Sequence, residues 1–386
     1  MRFSRRSGQD RNENRLTVLL RRTKTRREVL DLTESNPTRA GIEYDAERIV
    51  HALADRATLS YEPHPLGLPS AREAVASELS ESGVPVAASQ VILTASTSEA
   101  YGFLFKLLCD PGDEVLVPRP SYPLFEMLAT FEAVRPVSYR LAWDGEWHID
   151  FASIRDAITD RTRAIVCVSP NNPTGSYLKR DELAELVRLG LPIVSDEVFG
   201  RYALEETGRR SRTALESDAE LVFALGGLSK HAGLPQMKLG WIALGGSDVA
   251  VADASGRLEL VADAWLSVST PVQVAAPALL ASAEVAARSI HARIAENLID
   301  LRRATERSPV SVPRVEGGWY AVLRLPAIHD AETWCAMLLE QDGVWIHPGF
   351  LYDFEAEAFA VVSLLTRPEI FRDGVHRLVR RVEHAS

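Results

Sequence analysis

Cysteine is scarce in this chain: Cys109, Cys167 and Cys335 are the only three in 386 residues. Their odd number and wide spacing exclude a disulfide framework and a cysteine-based metal knot, and suit a reducing, cytoplasmic setting. Long apolar runs are also missing. The longest are strand-sized, which argues against a membrane span. Positive charge is in deficit, with a formal net charge of −10, and this argues against a general nucleic-acid binder. There is no internal repeat, low-complexity tract or linker. What remains is an ordinary globular balance, 46% apolar and 25% charged, in a chain long enough for two domains.

The one compositional anomaly is at the start. Residues 1–27 carry ten Arg or Lys against two acids, Asp10 and Glu13. An Arg-rich, acid-poor start can be an organelle transit peptide. The stretch "NRLTVLLRRTKTRREVLDL" instead carries an apolar patch flanked by charge, as a docked surface helix does, and that reading is preferred.

Strand-like runs bounded by Gly, Pro or Asp follow: "QVILTAS", "EVLVPRP", "VRPVSYRL", "AIVCVSP", "PIVSDEV", "ELVFALGGLS" and "GWIALGG". Helical segments lie between several of them, "EAYGFLFKLLCD", "YPLFEMLATFEA" and "RDELAELVRLG". The alternation predicts an α/β domain, a mostly parallel seven-stranded sheet covered by helices, over residues 46–285. The Ala-rich "PVQVAAPALLASAEVAARSIHARIAENLIDLRRATER" and the runs "GGWYAVLRL", "GVWIHPG", "AVVSLLT" and "FRDGVHRLVRRVEHA" predict a smaller α+β domain over 286–386, completed by residues 1–45.

Ligands of open α/β sheets sit beyond the carboxyl ends of the strands, and four loops there stand out. "TASTSEA" opens a helix with Ser96, Thr97 and Ser98, either a phosphate cradle or a plain N-cap with Glu99 in the first turn. "SPNNPTG" offers the Asn172 amide, or is only a turn. "VSDEV" ends an apolar strand on Asp196, a costly carboxylate unless a cation or hydrogen bonds meet it. "LGGLSKHAGLPQMKLGW" places Lys230 between apolar strands and small residues. A buried lysine shifts its pKa readily, which suits a Schiff-base nucleophile, and the small residues would let a ligand approach.

In this order these loops, with "YEPHPLGLPSAREAVA", "VPRPSYPLF", "GGWY" and "HPGF", resemble the fold-type I, class I/II aminotransferases that use pyridoxal phosphate (PLP). The resemblance covers nearly the whole chain. It implies that Lys230 forms the Schiff base with PLP and carries the proton between the substrate and the cofactor. Asp196 would pair with the pyridine nitrogen and make the ring an electron sink. Asn172 would bond the phenolic oxygen, Tyr122 would stack on the ring, and Ser96, Thr97, Ser98, Ser229 and Lys238 would surround the phosphate. Tyr61 would come from a second subunit, giving a homodimer with shared sites. No metal is implied.

Three positions depart from the family pattern. Phe199 follows "SDEV" where a tyrosine is usual, so one cofactor hydrogen bond, worth about 0.5–1.5 kcal/mol, is lost. Lys238 replaces an arginine, keeping the charge without the bidentate fork. Val361 stands where an arginine usually clamps the substrate carboxylate. Arg367 and Arg39 are the candidate replacements, and Ser35 replaces a usual glycine on the substrate side. The expected activity is ping-pong transfer of an amino group between small-molecule amino and keto substrates. The alternative is another PLP reaction (lyase, decarboxylase or cyclase) on the same fold. A non-catalytic sensor is the third possibility, disfavoured because there is no room for a basic DNA-binding domain ahead of the fold.

Overall fold

Strand-forming runs become strands here because helices cover both faces of the sheet they make, which removes any need for polar alternation. The computed structural model describes residues 3–7, 13–81, 83–206, 208–266, 268–355 and 358–385. Its strands are β1 (Leu30–Asp31), β2 (Val91–Thr94), β3 (Glu114–Arg119), β4 (Arg135–Trp143), β5 (Trp147–Ile149), β6 (Thr162–Val168), β7 (Ile193–Asp196), β8 (Leu221–Gly227), β9 (Gly240–Gly246), β10 (Tyr320–Arg324), β11 (Val344–Trp345), β12 (His347–Pro348) and β13 (Phe359–Ser363).

The main sheet runs β2-β9-β8-β7-β6-β3-β4-β5. The pairs β4–β3, β3–β6, β6–β7 and β7–β8 are parallel, whereas β2–β9, β9–β8 and β4–β5 are antiparallel. Among the described residues the sheet therefore has eight strands, not the seven expected. The additional one, β5, folds back on β4 with Trp147 opposite Trp143. Its signal was the dipeptide Asp144-Gly145, a hairpin turn between apolar residues, with Gly145 at φ +116°.

Neighbouring residues of one strand serve opposite faces, as a period of two requires. Val194 packs with Val166, Phe223 and Leu104 under the helix Thr97–Leu108. Ile193 packs with Ile165, Val222 and Leu186 under the helix Arg180–Arg188. Further along the second face, Leu93 and Trp241 meet Val75 and Leu279.

A separate core gathers both ends of the chain: Leu16 and Leu32 lie with Ile294, Trp334, Val362 and Leu378. Above it sit the antiparallel sheet β10-β13-β12 and the parallel pair β1–β11. The basic N-terminal stretch forms the helix Arg15–Lys24, capped by Asn14, whose Oδ1 accepts from the Thr17 N–H at 3.1 Å. Leu16 docks this helix on the core. The Ala-rich stretch forms two helices, Thr270–Ala281 and Ala283–Thr305. They join at Ser282, whose hydroxyl donates to the Leu279 carbonyl at 2.9 Å.

No helix among the described residues is long and apolar enough to cross a membrane. All three cysteines are free.

Candidate active site

β7 ends on Asp196 because Ile193 and Val194 bury the strand and leave its last residue at the carboxyl edge. There Tyr101 Oη donates to Asp196 Oδ2 at 3.1 Å and the Val198 N–H donates to Oδ1 at 3.2 Å. Burial pushes the carboxyl up to about 6, against the pull of those two donors and of Lys230. Tyr101 lies four residues after Thr97 on one helix, so a single face carries both, a spacing visible in the sequence.

Lys230 stands on the short turn Leu228–His231 that follows β8. Tyr202 Oη donates to its carbonyl at 2.6 Å. Burial lowers its ammonium to about 8, and Asp196 opposes that shift. Its Nζ lies 5.0 Å from the Trp319 ring centroid and 5.6 Å from that of Phe199. The glycines ahead of it serve packing: a Cβ on Gly227 would come within 3.0 Å of the Leu239 carbonyl oxygen, and Gly226 makes room for the Trp241 indole. The structure thus gives these small residues a packing role within the sheet.

The helix after β2 begins with the N-cap that one of its sequence readings expects. Ser96 Oγ accepts from the Glu99 N–H at 3.2 Å, an N-cap, and Glu99 Oε2 accepts from the Ala95 N–H at 2.6 Å. That leaves the first-turn N–H groups of Thr97 and Ser98, which helix geometry gives no intrahelical acceptor. A Cβ on Gly240 would sit 3.1 Å from the Thr97 nitrogen and 2.9 Å from the Ser96 carbonyl carbon. That close approach brings the segment carrying Lys238, two residues before Gly240, against this helix start. Lys238 is exposed and left-handed (φ +52°).

Asn172 follows β6, whose end pairs with β7, and Ser169 N–H donates to the Asp196 carbonyl at 2.9 Å. Asn172 is buried, and its Oδ1 has no partner in the chain. Phe199 is buried edge-on to Trp319 and Tyr320. Ser229 is part-buried beside Lys230, and Tyr122 is 46% exposed. Tyr122 acts electrostatically on Tyr320, whose phenol burial pushes up to about 12 and which has Ser35 beside it.

The remaining candidates lie apart. Tyr61 is 69% exposed, in a groove with Leu93, Leu266 and Gln273. Arg39 and Arg367 are both exposed, and Arg367 Nη2 donates to the Arg39 carbonyl at 3.4 Å. Pro37, two residues before Arg39, lies against Gly233, so this segment passes over the Lys230 turn. Val361 is 1% exposed, opposite Val322 and His347, on the face of its sheet turned from the core that holds Ala360 and Val362. Burial lowers the His347 pKa, so that ring is neutral near pH 7. Sequence reasoning missed Tyr101, Tyr202, Trp319 and Tyr320, the last two inside the quoted "GGWY".

A mostly parallel sheet with a part-buried lysine and aspartate beyond the carboxyl ends of its strands defines an α/β architecture with charged groups gathered at one edge of the sheet. The family model of aminotransferase class I and II matches residues 27–366. Nicotianamine aminotransferase A of Hordeum vulgare is 30% identical over 332 residues, 81% of this chain and 71% of that protein. Glutamate-pyruvate aminotransferase AlaA of Escherichia coli (strain K12) is 30% identical over 250 residues, 64% of this chain and 62% of that protein. The solved alanine aminotransferase from Pyrococcus furiosus superposes with a TM-score of 0.88 at 25% identity, over 99% of this chain and 100% of that one. The chain belongs to the class I and II aminotransferases, enzymes dependent on pyridoxal phosphate, and transfers amino groups.

Proposed function

We propose that Lys230 and Asp196 are the catalytic pair of this aminotransferase, and that the surrounding loops hold its cofactor. Pyridoxal phosphate, when bound, supplies an aldehyde that condenses with amines and a ring that accepts an electron pair from the substrate. The residues present fit that group. The orphaned Asn172 Oδ1 calls for a hydrogen-bonding partner, the part-buried Asp196 carboxylate for a cation, and the Thr97 and Ser98 N–H groups with Lys238 and Ser229 for an anion. Lys230 anchors the cofactor through Nζ and, once free, moves the proton at the substrate's reacting carbon. Its lowered pKa keeps a usable share of free amine near neutral pH. Tyr122 covers the ring, and Phe199 packs beside Lys230 without donating to the cofactor.

Two substrates would react in turn at this one site, an amino donor and then a keto acceptor. Ser35 meets substrate beside Tyr320, and Arg39 and Arg367 stand at the outer segment to attract a carboxylate. The reading includes a homodimer in which the partner copy supplies the Tyr61 position. Leu59, Tyr61 and Leu266, all more than half exposed at 84%, 69% and 55%, support a subunit contact there. It also includes a cytoplasmic location, consistent with three free cysteines.

The observation that carries the proposal is a part-buried amine and a part-buried carboxylate that act electrostatically on each other at the sheet edge, each shifted by burial. The test is the visible spectrum of the purified protein while amino acids are added one at a time. Conversion to a pyridoxamine spectrum, reversed by a keto acid, is the expected result and names the donor. Release of ammonia or carbon dioxide would favour the second reading, a lyase, decarboxylase or cyclase. The observation on that side is Val361, an apolar residue buried on the sheet face turned from the small core, where the resemblance implies an arginine.

A further inference from the structure

Asp196 is not the only group that acts on the Lys230 amine. Its Nζ lies over two aromatic rings, Trp319 at 5.0 Å and Phe199 at 5.6 Å, which are themselves packed edge-on with centroids 5.3 Å apart. Tyr202 packs edge-on against the same Trp319, at 5.2 Å, while its hydroxyl holds the Lys230 carbonyl. One pair of aromatic side chains therefore fixes both ends of the lysine: Tyr202 its backbone, Trp319 its amine. Trp319 is fully buried, so this contact is shielded from water, which is where a ring quadrupole attracts a cation most strongly.

Resting on the proposal that Lys230 is the lysine that turns over, we infer that Trp319 and Phe199 form an aromatic seat that receives its ammonium group whenever the amine is free of the cofactor. The two rings are positioning residues. In the half of the cycle in which Lys230 has picked up a proton, an unpaired ammonium here would face a large desolvation cost, and Asp196 would be its main counter-charge. Attraction to the rings offsets part of that cost without a second carboxylate, which would compete for the cofactor's ring nitrogen. The seat also spans the molecule, because Trp319 precedes β10 while Phe199 and Lys230 follow β7 and β8. The charge state of the lysine is thereby tied to how the small sheet sits on the large one.

The test uses the full chain loaded with pyridoxamine phosphate, in which the lysine amine is free. Acetic anhydride labelling of Lys230 across pH 6–10, read by peptide mass spectrometry, gives the amine's titration curve without turnover. Trp319→Leu should move that curve to lower pH by about one unit, the size of a desolvated cation–π contact, and Trp319→Phe, which keeps an aromatic face, by less than half as much. Phe199→Leu gives the same test from the other ring if Trp319→Leu does not fold. Curves unmoved by the leucine variants, or moved equally by Trp319→Phe and Trp319→Leu, would overturn the seat. If Lys230 proves not to be the lysine that binds the cofactor, with Lys230→Ala keeping its visible band and turnover, the underlying reading fails instead.

Discussion

At the scale of single residues, the site is a contest between burial and charge. Asp196 titrates near 6 in the fold, against about 3.9 in an unfolded chain. The folded chain therefore retains a proton that the unfolded chain has lost. The stability this gives is complete below about pH 4 and is lost as the pH rises through about 6. Lys230, lowered to about 8, is uncharged well above that pH and then no longer compensates the carboxylate. Cofactor-free Asp196→Asn should accordingly be more stable than the parent at pH 9, by roughly 3 kcal/mol at most. The two should converge near pH 4, as read from urea midpoints. The same substitution should abolish transamination, and a variant that kept full turnover would remove Asp196 from the mechanism. Lys230→Ala should cut turnover by about a hundredfold or more, the usual size of a lost acid–base group. It should also lose the visible band of the bound cofactor while retaining noncovalent binding.

Between secondary-structure elements, the decisive contact is the meeting of β9 with the start of the helix Thr97–Leu108. Gly240 has backbone on both sides: Ser96 and Thr97 ahead of it, and Gly227, opposite it in β8, behind. A methyl group 2.9 Å from the Ser96 carbonyl carbon has no flexible side chain to push aside. Gly240→Ala should part the helix N-terminus from the segment of Lys238 and weaken cofactor binding by about tenfold, or about 1.4 kcal/mol. Calorimetric titration with pyridoxal phosphate measures this, and unchanged affinity would show that the phosphate lies elsewhere. Lys238→Arg should bind no worse, since charge is retained and a fork is gained. These elements were legible in advance to different degrees. The apolar runs of β6, β7 and β8 announced themselves because burial on both faces leaves no ambiguity of register. The β5 hairpin did not, because Trp147–Ile149 is too short for periodicity to register and only Asp144-Gly145 marked it.

At the scale of the whole molecule, the large and small sheets are joined by a buried ion pair. Lys179 Nζ lies 3.1 Å from Glu316 Oε2, donates also to the Trp147 carbonyl at 3.0 Å, and both side chains are at least 95% buried. Glu316 Oε2 accepts from the Tyr177 N–H as well, and the Gly317 N–H donates to the Gly175 carbonyl at 2.9 Å. The turn "NNPTG" is thus fastened to "EGGWY". Glu316→Ala would strand the Lys179 ammonium in the interior, at a cost of about 3–5 kcal/mol, measurable as a lower denaturant midpoint. Replacing Leu59 and Leu266 together by aspartate should yield a monomer by light scattering with loss of activity, if the partner copy completes the site. An active monomer would remove the homodimer from the proposal.

The sequence by itself determined the chemistry of the large sheet. Apolar runs fix strands, strand ends fix loops, and the loops carried Ser96, Asn172, Asp196 and Lys230 in an order that few folds use. It could not determine what faces those residues from afar. Trp319 lies 89 positions from Lys230, and neither residue's local pattern names the other. Tyr101 was readable only as one helical turn beyond Thr97. Val361 illustrates the limit most clearly. The resemblance to the family marked it as the site of an absent arginine, but the tertiary structure alone placed it beside a neutral His347 and left Arg39 and Arg367 exposed. Local pattern records which side chains are buried or exposed within an element. Which of them meet is decided only when two sheets and both chain ends pack around a shared core.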